Sequence, residues 1–286
     1  MILYPNCKIN IGLRIISKRA DGYHNLETVF YPVYSLSDIL EVTHAEVFSF
    51  VQAGLTVDCP ADDNLIVKCY RRMQARYPKI GNVAIRFTKR IPFGAGLGGG
   101  SSDAAHMAIA LNEIFELGLT REQLAAEVAP LGADCAFFIY NTPCLAEGIG
   151  ERLTPVPFSL AGFRIMLFKP DVHISTREAY AGIHLSGDKP SLAELVRKGI
   201  TPIDLIRHPD VIYNDFENTV FPKFPELAAL KQRLVDAGAF YAAMSGSGST
   251  VYALFENNPE RITLDDYNLN DLAPLLISDA KVRQLK

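Results

Sequence analysis

The segment Ile91–Asp103 constrains this chain more than any other, because it joins a strand to a helix through five glycines and two serines. The residues from Val83 to Phe87 alternate at the strand period, and those from Met107 to Phe115 recur at helical spacing. A helix after such a turn presents unpaired N–H groups and the positive end of its dipole, and glycines let an anion approach the backbone. The segment therefore predicts a phosphate-binding turn, and Ser101 or Ser102 is expected to cap the helix.

Three common phosphate loops fit this segment poorly. Its glycines match the dinucleotide pattern G-x-G-x-x-G, but Gly118 ends the helix and a capping box at Thr120 begins another, so the required strand is missing. A P-loop needs a lysine where this chain has Gly100. The H-R-D and D-F-G segments of protein kinases do not occur in the chain. A plain tight turn is the simplest alternative, although it needs only one or two glycines.

Composition argues against several classes of partner. The chain has 286 residues, 49% of them hydrophobic, and a net charge of −4, so it can bury a large core but offers no basic field for nucleic acid or anionic lipid. The sequence shows no signal peptide and no apolar stretch of membrane-spanning length, which predicts a cytoplasmic protein. Five scattered cysteines and six histidines without metal-ligand spacing argue against disulfides and transition metals. A monomer and a homodimer are both compatible with the sequence.

Two segments far apart in the chain carry charged residues in apolar surroundings. Strict alternation from Lys8 to Ile15 predicts a half-buried strand with Lys8 and Asn10 on its polar face. Asp134 stands between small residues and an apolar run, where a buried carboxylate needs a partner. Lys8 is the expected partner if the two segments meet. The alternatives are a solvated strand face for Lys8 and an N-cap or turn role for Asp134.

Other elements of the first half follow from turn and cap signals. Tyr23 and His24 follow an Asp-Gly turn, where such a pair often serves packing alone. Asp62 or Asp63 is expected to cap a helix that runs to about Tyr77. A mainly antiparallel sheet is predicted from four strand-like segments, Glu27–Val33, Leu40–Thr43, Phe48–Val51 and Leu55–Val57.

The segment from Pro92 to Ser102 resembles the P-x3-G-L-G-G-x-S-S phosphate loop of the GHMP superfamily of small-molecule kinases. Other segments are similar to one branch of that superfamily, whose acceptor is a cytidylated methylerythritol. They are Lys8-Ile9-Asn10, Arg19-Ala20-Asp21-Gly22-Tyr23-His24, Asp63-Asn64-Leu65-Ile66, Gly132-Ala133-Asp134, Ala146-Glu147-Gly148-Ile149-Gly150-Glu151, Asn214-Asp215-Phe216-Glu217 and Ser245-Gly246-Ser247-Gly248. The loop indicates only the superfamily, and the run from Arg19 to His24 is the more specific signal.

The resemblance implies an α+β, two-domain GHMP kinase fold. An N-terminal unit of the ribosomal-protein-S5-domain-2-like type is expected over residues 1–155, with the phosphate loop, and a ferredoxin-like unit over residues 156–286. The active site is expected in the cleft between them. Pro155 and Pro157 mark the passage in the sequence. The second half predicts strands over Arg164–Phe168, Phe240–Met244 and Val251–Phe255 and helices over about Thr176–Ile183, Ser191–Ile206 and Pro225–Ala237.

The resemblance also implies a reaction, transfer of the γ-phosphoryl of ATP to a hydroxyl of the cytidylated acceptor in non-mevalonate isoprenoid synthesis, with Mg2+ bridging phosphate oxygens. The residues it places at ATP are Asn64, Lys89, Pro92, Gly94, Gly96, Leu97, Gly98, Gly99, Gly100, Ser101 and Ser102. It places Lys8 and Asp134 in catalysis and five residues at the acceptor, namely Asn10, Tyr23, His24, Thr176 and Tyr180. The protein ligand of Mg2+ is undefined: Ser102 or Asp103 can serve, or phosphates and water suffice.

Several alternatives stay open at this point. Asn64 and Lys89 are also explained as exposed polar residues, Tyr180 as a core aromatic, and the glycine turn from Ser245 as a hairpin. Another kinase of the superfamily, of the homoserine or mevalonate type, would share the phosphate loop. A catalytically silent ligand-binding regulator on the same fold would have lost the base or the lysine. The tail after Glu256 is acidic and weakly periodic, so its elements are not predicted.

Overall fold

A computed structural model describes residues 1–56, 59–183, 185, 191–198, 212–256 and 274–275. The chain forms two compact units that alternate along the sequence. The first comprises Met1–Cys7, Leu36–Phe93 and Gly98–Thr142, and the second Lys8–Ser35, Gly94–Leu97 and Pro143–Lys286. The single boundary near residue 155 stays a prediction. Along the described ranges, no helix combines the length and apolar composition that a bilayer span requires.

The strands and helices are numbered here in chain order. The strands are β1 Ile2–Leu3, β2 Asn6–Lys18, β3 His24–Ser37, β4 Ile39–His44, β5 Ser49–Gly54, β6 Val83–Lys89, β7 Cys144–Gly148, β8 Arg152–Pro155, β9 Arg164–Phe168, β10 Tyr241–Met244, β11 Val251–Phe255 and β12 Pro274–Leu275. The α-helices are α1 Leu65–Arg76, α2 Gly99–Ile114, α3 Arg121–Val128, α4 Cys135–Tyr140, α5 Thr176–Tyr180, α6 Leu192–Arg197, α7 Glu217–Val220 and α8 Pro225–Asp236.

The first unit combines one sheet with helices α1 to α4. The sheet has the order β1-β4-β6-β5, and its β5–β6 pair is parallel while the other pairs are antiparallel. The prediction of a mainly antiparallel sheet is therefore confirmed, with β5 as a parallel exception, but the segment Glu27–Val33 lies in β3 of a different sheet. The segment predicted as a strand at Leu55–Val57 lies outside β5, and residue 57 lies outside the described residues.

Two helix starts in this unit differ from the sequence prediction. Asn64 caps α1, since its side chain accepts a hydrogen bond from the Ile66 N–H, and Asp62 and Asp63 lie in a preceding 3-10 turn. Helix α2 begins at Gly99, earlier than a serine cap would place it, and Gly98 holds the N-cap position in a left-handed conformation. Glycine replaces the serine cap because only it adopts this backbone turn without strain.

Two other sequence signals in this unit have different outcomes. The capping box at Thr120 is confirmed, because the Thr120 and Gln123 side chains exchange hydrogen bonds with each other's backbone. Helix α2 ends at Ile114, so Gly118 lies beyond the helix end and does not terminate the helix as predicted. Gly118 has a φ of +68° in the turn before α3.

The second unit contains two sheets, with strand orders β2-β3-β7-β8 and β10-β11-β9-β12. Strand β2 is buried on both faces from Asn6 to Ile15, so the prediction of a half-buried strand is wrong. Its polar residues are buried as fully as its isoleucines, with Lys8 at 3% and Asn10 at 2% exposure. A strand whose charged face is buried must have its polar groups satisfied by specific partners, which makes this face a candidate site.

The elements of the second half follow their predicted periodicity closely. Strands β9 and β11 have the predicted bounds, and α8 ends one residue before the predicted end. Helix α5 stops at Tyr180, short of Ile183, and α6 covers the first part of the segment predicted over Ser191–Ile206. The rest of that segment lies outside the described residues, as does the tail after Glu256 apart from β12.

The Asn214–Glu217 segment braces the core of the second unit through its side chains. The Asp215 carboxylate accepts a 2.7 Å hydrogen bond from the Ile15 N–H and lies 3.6 Å from the Arg14 guanidinium. Glu217 accepts from the Met244 N–H at 2.8 Å and from Lys231 at 2.6 Å. These carboxylates satisfy buried N–H groups of β2 and β10, which accounts for acidic residues in a buried segment.

We expect the Asp215→Ala substitution to lower the free energy of unfolding by about 3–5 kcal/mol, because it leaves a buried N–H and a buried guanidinium without their carboxylate. Urea denaturation followed by circular dichroism measures this change. The exposed carboxylate of Asp236 on α8 provides the control, and Asp236→Ala should change the value by about 0.5 kcal/mol or less. Equal effects of the two substitutions would contradict the bracing role.

Candidate functional site

The first part of the glycine loop belongs to the second unit and is held through its carbonyl oxygens. Three consecutive carbonyls accept hydrogen bonds: Ala95 from the Thr250 N–H at 3.3 Å, Gly96 from the Ser245 hydroxyl at 2.9 Å, and Leu97 from the Lys8 N–H at 3.0 Å. Carbonyls that point into the protein cannot face a ligand. The negative carbonyl ends of these peptides therefore point into the protein, and the N–H ends point the other way. Anion binding by a backbone loop requires this orientation.

Gly96 is the position where the loop and the turn after β10 approach most closely. Its φ is +74°, and a Cβ built there would lie 2.0 Å from the Ser245 carbonyl oxygen. No other residue type fits both this backbone conformation and this contact. The loop glycine and the turn from Ser245 to Gly248 therefore form one packed structure, and the simple hairpin explanation of that turn is incomplete.

The second part of the loop belongs to the first unit and opens onto α2. Gly98 has a φ of +69°, and no side chain caps the helix, so the N–H groups of its first turn are left for other partners. Ser102 is fully buried, with its hydroxyl 3.4 Å from His106 Nδ1, whereas Ser101 is half-buried. Of the two serines, Ser101 is the more accessible.

A buried charge cluster fixes the two ends of the loop. Lys89, the last residue of β6, donates to Asp38 at 2.5 Å and to Asp103, the fifth residue of α2, at 2.9 Å. The Asp38 carboxylate also accepts from the N–H groups of Arg90, at 2.5 Å, and Ile91, at 2.8 Å. Because one ammonium joins the strand before the loop to the helix after it, the cluster sets the span that the loop must bridge.

The electrostatics of this cluster follow from burial and charge. Burial raises the pKa of Asp103 well above its usual range, and the nearby Lys89 only partly opposes this effect. Burial also disfavours the charged form of Lys89, but the carboxylates of Asp103 and Asp38 more than offset it, so the pKa of Lys89 is raised. Lys89 therefore stays charged, with its charge compensated inside the protein.

A pocket of about 250 Å³ lies beside the cluster in the first unit. Its lining residues are Cys59, Asp63, Asn64, Leu65, Phe87, Lys89, Phe93, Gly100 and Asp103. One carboxylate oxygen of Asp103 is buried there without a hydrogen-bond partner. Asn64 and Lys89 are 8% and 3% exposed, so the alternative that they are exposed polar residues is wrong. An apolar pocket with a few polar groups suits a planar heterocycle.

Gly99 and Gly100 differ in what surrounds them. A Cβ at Gly99 would lie 2.9 Å from Ile91 Cγ2 and 3.0 Å from Lys89 Nζ, so a larger residue there would disturb the charge cluster directly. At Gly100 the nearest atom to an added Cβ is Leu65 Cδ1 at an ordinary 3.5 Å. Gly99 is therefore required by the protein's own packing, whatever its role towards a ligand.

On β2, Lys8 and Asn10 lie side by side in the second unit, as the strand period predicts. The Lys8 ammonium donates a 2.6 Å hydrogen bond to Asn10 Oδ1 and lies 4.9 Å from the centroid of the Phe30 ring. The solvated alternative for Lys8 is wrong, because the side chain is buried. The backbone N–H of the same residue holds the Leu97 carbonyl, so Lys8 links β2 to the glycine loop.

Asp134 lies in the first unit, directly before α4. It occupies the N-cap position but its side chain makes no capping bond, and it is half-buried. Asp134 is therefore the N-cap residue of α4, as the alternative predicted, but its carboxylate does not cap the helix. Burial raises the pKa of the neighbouring Cys135 thiol to about 12, which excludes a reactive thiolate at this point at neutral pH. The pairing of Asp134 with Lys8 stays a prediction.

The expected acceptor residues lie in the second unit. The His24 and Tyr180 rings stack on each other, with centroids 4.7 Å apart and planes inclined by 17°, and Tyr180 packs edge-on with Phe216. No base fits between two rings at this spacing, so a base that stacks on Tyr180 must use its other face or displace His24. Tyr23 is 61% exposed, which leaves it available to a ligand. Thr176 opens α5 with its hydroxyl 3.4 Å from that of Ser247.

Several residues that shape these sites were not among the sequence candidates. Asp38, Ser245 and Thr250 act through contacts with residues distant in the chain, and no local pattern reveals such partners. The nearest signal was the glycine turn that Ser245 begins, which matched the family resemblance and was also explained as a hairpin. Among the described residues, no group of three His, Cys, Asp or Glu side chains could hold a metal ion.

Comparison with known proteins gives consistent matches to one family. The family model described as GHMP kinases N terminal domain matches residues 64–142, and the model described as GHMP kinases C terminal matches residues 192–264. A 4-diphosphocytidyl-2-C-methyl-D-erythritol kinase of Bacteroides thetaiotaomicron is 49% identical over 260 residues, which cover 90% of this chain and 92% of that protein. The corresponding kinase of Cytophaga hutchinsonii is 42% identical and covers 96% and 100%.

Solved structures agree with these matches. A crystal structure of 4-(cytidine 5'-diphospho)-2C-methyl-D-erythritol kinase has 31% sequence identity and a TM-score of 0.72, and the match covers 89% of this chain and 90% of that one. A mevalonate kinase structure at 14% identity and a TM-score of 0.61 shows the shared fold alone. The predicted two-domain α+β kinase fold and the resemblance are confirmed. The chain belongs to the GHMP kinases, within the family of 4-diphosphocytidyl-2-C-methyl-D-erythritol kinases.

Proposed function

We propose that this protein transfers the γ-phosphoryl of ATP to the 2-hydroxyl of 4-diphosphocytidyl-2-C-methyl-D-erythritol, giving the 2-phosphate and ADP. The observation that carries the proposal is 49% identity, over nine-tenths of the chain, to a protein named for this activity. The held carbonyls of Ala95, Gly96 and Leu97 support it, because they give the glycine loop the orientation a phosphate ligand needs.

ATP binding is assigned to the glycine loop and the pocket beside the charge cluster. The N–H groups of the loop and of the first turn of α2 bind the phosphates, favoured by the positive end of the helix dipole. The pocket with Asn64 and Lys89 takes the adenine ring. Lys89 acts there mainly through position, since its charge is compensated by Asp38 and Asp103.

Within the described ranges, the side chains do not form a ready protein site for Mg2+. Ser102 is fully buried, and the Asp103 carboxylate is buried with one oxygen paired to Lys89 and the other without a hydrogen-bond partner, so neither candidate ligand from the sequence is open to an entering ion. Phosphate oxygens and water would then supply the ligands of an Mg2+ that enters with ATP, as is common for this ion. The residue roles below depend on protein groups alone.

Catalysis is assigned to Asp134 and Lys8. Phosphoryl transfer requires chiefly that the hydroxyl be positioned and the developing charge stabilised. Asp134 accepts or orients the acceptor hydroxyl proton, and Lys8 neutralises charge near the transferred group. Asn10 lies next to Lys8 and contacts the acceptor.

The cytidine end of the acceptor is assigned to Tyr23, His24, Thr176 and Tyr180. His24 offers a hydrogen bond to the base, and the exposed Tyr23 ring and the Tyr180 ring offer stacking surfaces. The stacked pair of His24 and Tyr180 gives the base a preformed aromatic platform. A kinase of the homoserine or mevalonate type would have no need of such a platform.

ADP release measured against a panel of alcohols tests the proposed function. We expect turnover with 4-diphosphocytidyl-2-C-methyl-D-erythritol and little or none with homoserine, mevalonate or 2-C-methyl-D-erythritol 4-phosphate. Preference for homoserine or mevalonate would favour the alternative superfamily kinases. Binding of the cytidylated alcohol without ADP release would favour the silent regulator.

We expect the Gly96→Ala substitution to raise the KM for ATP by about tenfold or more, because the new Cβ would collide with the Ser245 carbonyl and reshape the loop. Steady-state kinetics measure this change. Gly118 is a matched control, since its φ of +68° is equally unusual but no atom lies within 4 Å of an added Cβ. Gly118→Ala should cost about 1 kcal/mol of stability without altering the KM for ATP. Parallel effects of the two would contradict the role of the loop.

We expect His24→Ala and Tyr180→Ala to weaken acceptor binding by roughly 1–3 kcal/mol each, because a lost hydrogen bond or stacking surface leaves the base poorly satisfied. The KM values for acceptor and ATP separate the two sites, and the KM for ATP should stay within twofold, or about 0.4 kcal/mol. Tyr4 is an exposed aromatic residue outside the proposed site, and Tyr4→Ala is the control that should leave both KM values unchanged. Equal use of 2-C-methyl-D-erythritol 4-phosphate by the unmodified protein would rule out cytosine recognition.

We expect Asp134→Asn to lower kcat by about 10²–10⁴-fold with little change in the binding of either substrate, as for loss of a general base. Lys8→Ala should act similarly. The double variant should lose much less than the product of the two losses, since residues that act together are not additive. A near-normal kcat for Asp134→Asn would refute the base assignment, and multiplicative losses would show that the residues act separately.

A further inference from the structure

A directed chain of hydrogen bonds lies behind Lys8 in the second unit. Lys8 Nζ donates to Asn10 Oδ1 at 2.6 Å, Asn10 Nδ2 donates to the Thr28 hydroxyl at 3.1 Å, and that hydroxyl donates to the Gly12 carbonyl at 2.5 Å. Thr28 lies on β3, the neighbour of β2 in the sheet. It is fully buried and has no role in the proposed reaction described above.

The donor and acceptor roles along this chain of hydrogen bonds follow from which groups carry hydrogens. A threonine hydroxyl has one hydrogen, which the Gly12 carbonyl takes, so its remaining lone pairs can only accept. The amide end of Asn10 that faces Thr28 must therefore be the NH2 group. The carbonyl end of the same amide is then turned towards Lys8, which as an ammonium can only donate.

Burial makes this arrangement obligatory. Thr28, Asn10 and Lys8 are 0%, 2% and 3% exposed, so solvent does not replace a lost partner. The backbone is also fixed: the Asn10 carbonyl accepts a 2.7 Å hydrogen bond from the Tyr252 hydroxyl, and Gly12 has a φ of +61°. With the backbone held, the amide orientation of Asn10 is set by its side-chain partners.

We propose that Thr28 is a positioning residue for this kinase: its hydroxyl fixes the orientation of the Asn10 amide and thereby the place of the Lys8 ammonium. Without the hydroxyl, the NH2 end of Asn10 loses its acceptor, and the amide is free to rotate towards Lys8 and repel it. The proposal rests on the role of Lys8 in the proposed function. It predicts a defect in the chemical step with ATP binding retained, because none of the residues assigned to ATP takes part in this chain of hydrogen bonds.

Kinetics of two Thr28 variants test the proposal. Thr28→Val keeps the shape of the side chain and removes the hydroxyl, and kcat should fall by about tenfold or more with the KM for ATP within twofold. Thr28→Ser restores the hydroxyl, and its kcat should lie within about threefold of the unmodified protein. A normal kcat for Thr28→Val, or a loss for Thr28→Ser as large as that for Thr28→Val, would overturn the proposal.

A double-variant cycle separates positioning from general structural support. Because Thr28 is proposed to act through Asn10, Thr28→Val should lower kcat by no more than about twofold in an Asn10→Ala background. An unchanged loss in that background would show that Thr28 acts by another route. If the unmodified protein prefers another alcohol of the panel, the proposed acceptor is wrong, and the same cycle is run with that alcohol.

One measurement is made on the unmodified protein and does not depend on turnover; a variant is needed only to assign the signal. The side-chain NH2 protons of Asn10, observed in 15N-labelled protein, should exchange slowly with solvent, since both ends of the amide are engaged. The Asn10→Ala spectrum assigns the signal by its loss. Rapid exchange of these amide protons would contradict a fixed Asn10 and overturn the proposal.

Discussion

Three hydrogen bonds to consecutive carbonyls of the glycine loop are the interaction on which the proposed phosphate site depends. A glycine-rich segment is costly to order and has no side chains of its own to hold it. Here the Lys8 N–H, the Ser245 hydroxyl and the Thr250 N–H supply the order from outside. Because these three donors bind the carbonyl oxygens of the loop, the N–H ends of the same peptides are left for an anion. The loop is thus held in one conformation, and the face opposite its bound carbonyls carries the partial positive charge of the N–H groups.

The same residues serve structure and proposed chemistry at once. Lys8 holds the loop through its backbone and presents an ammonium on the side chain, and Asn10 orients that ammonium. In the first unit, Lys89 shows the contrasting use of a buried lysine: two carboxylates compensate its charge, so it fixes the ends of the loop. Two buried lysines near one loop therefore differ in function because their partners differ.

The sequence pattern predicted the elements that are determined by interactions between residues close together in the chain. Periodicity predicts β9, β11 and α8, and the capping box predicts the start of α3. It fails where distant contacts decide, as at β2, whose polar face is covered by residues far along the chain. The start of α2 moved because Gly98 takes a backbone conformation that a serine cap does not need. For the site, residue chemistry indicated Lys8 and the glycine loop, but Asp38, Ser245 and Thr28 depend on long-range pairing.

Amide chemical shifts of the glycine loop test the central claim most directly. In a 15N-labelled protein, a non-hydrolysable ATP analogue should shift the amides of Gly98 and Gly99 strongly, as expected for new hydrogen bonds to phosphate. The amides of Lys8 and Thr250 should change little, because they are already bonded to the loop carbonyls. Unshifted loop glycines would contradict the phosphate site, and large shifts at Lys8 and Thr250 would contradict a loop that is fixed before ATP binds.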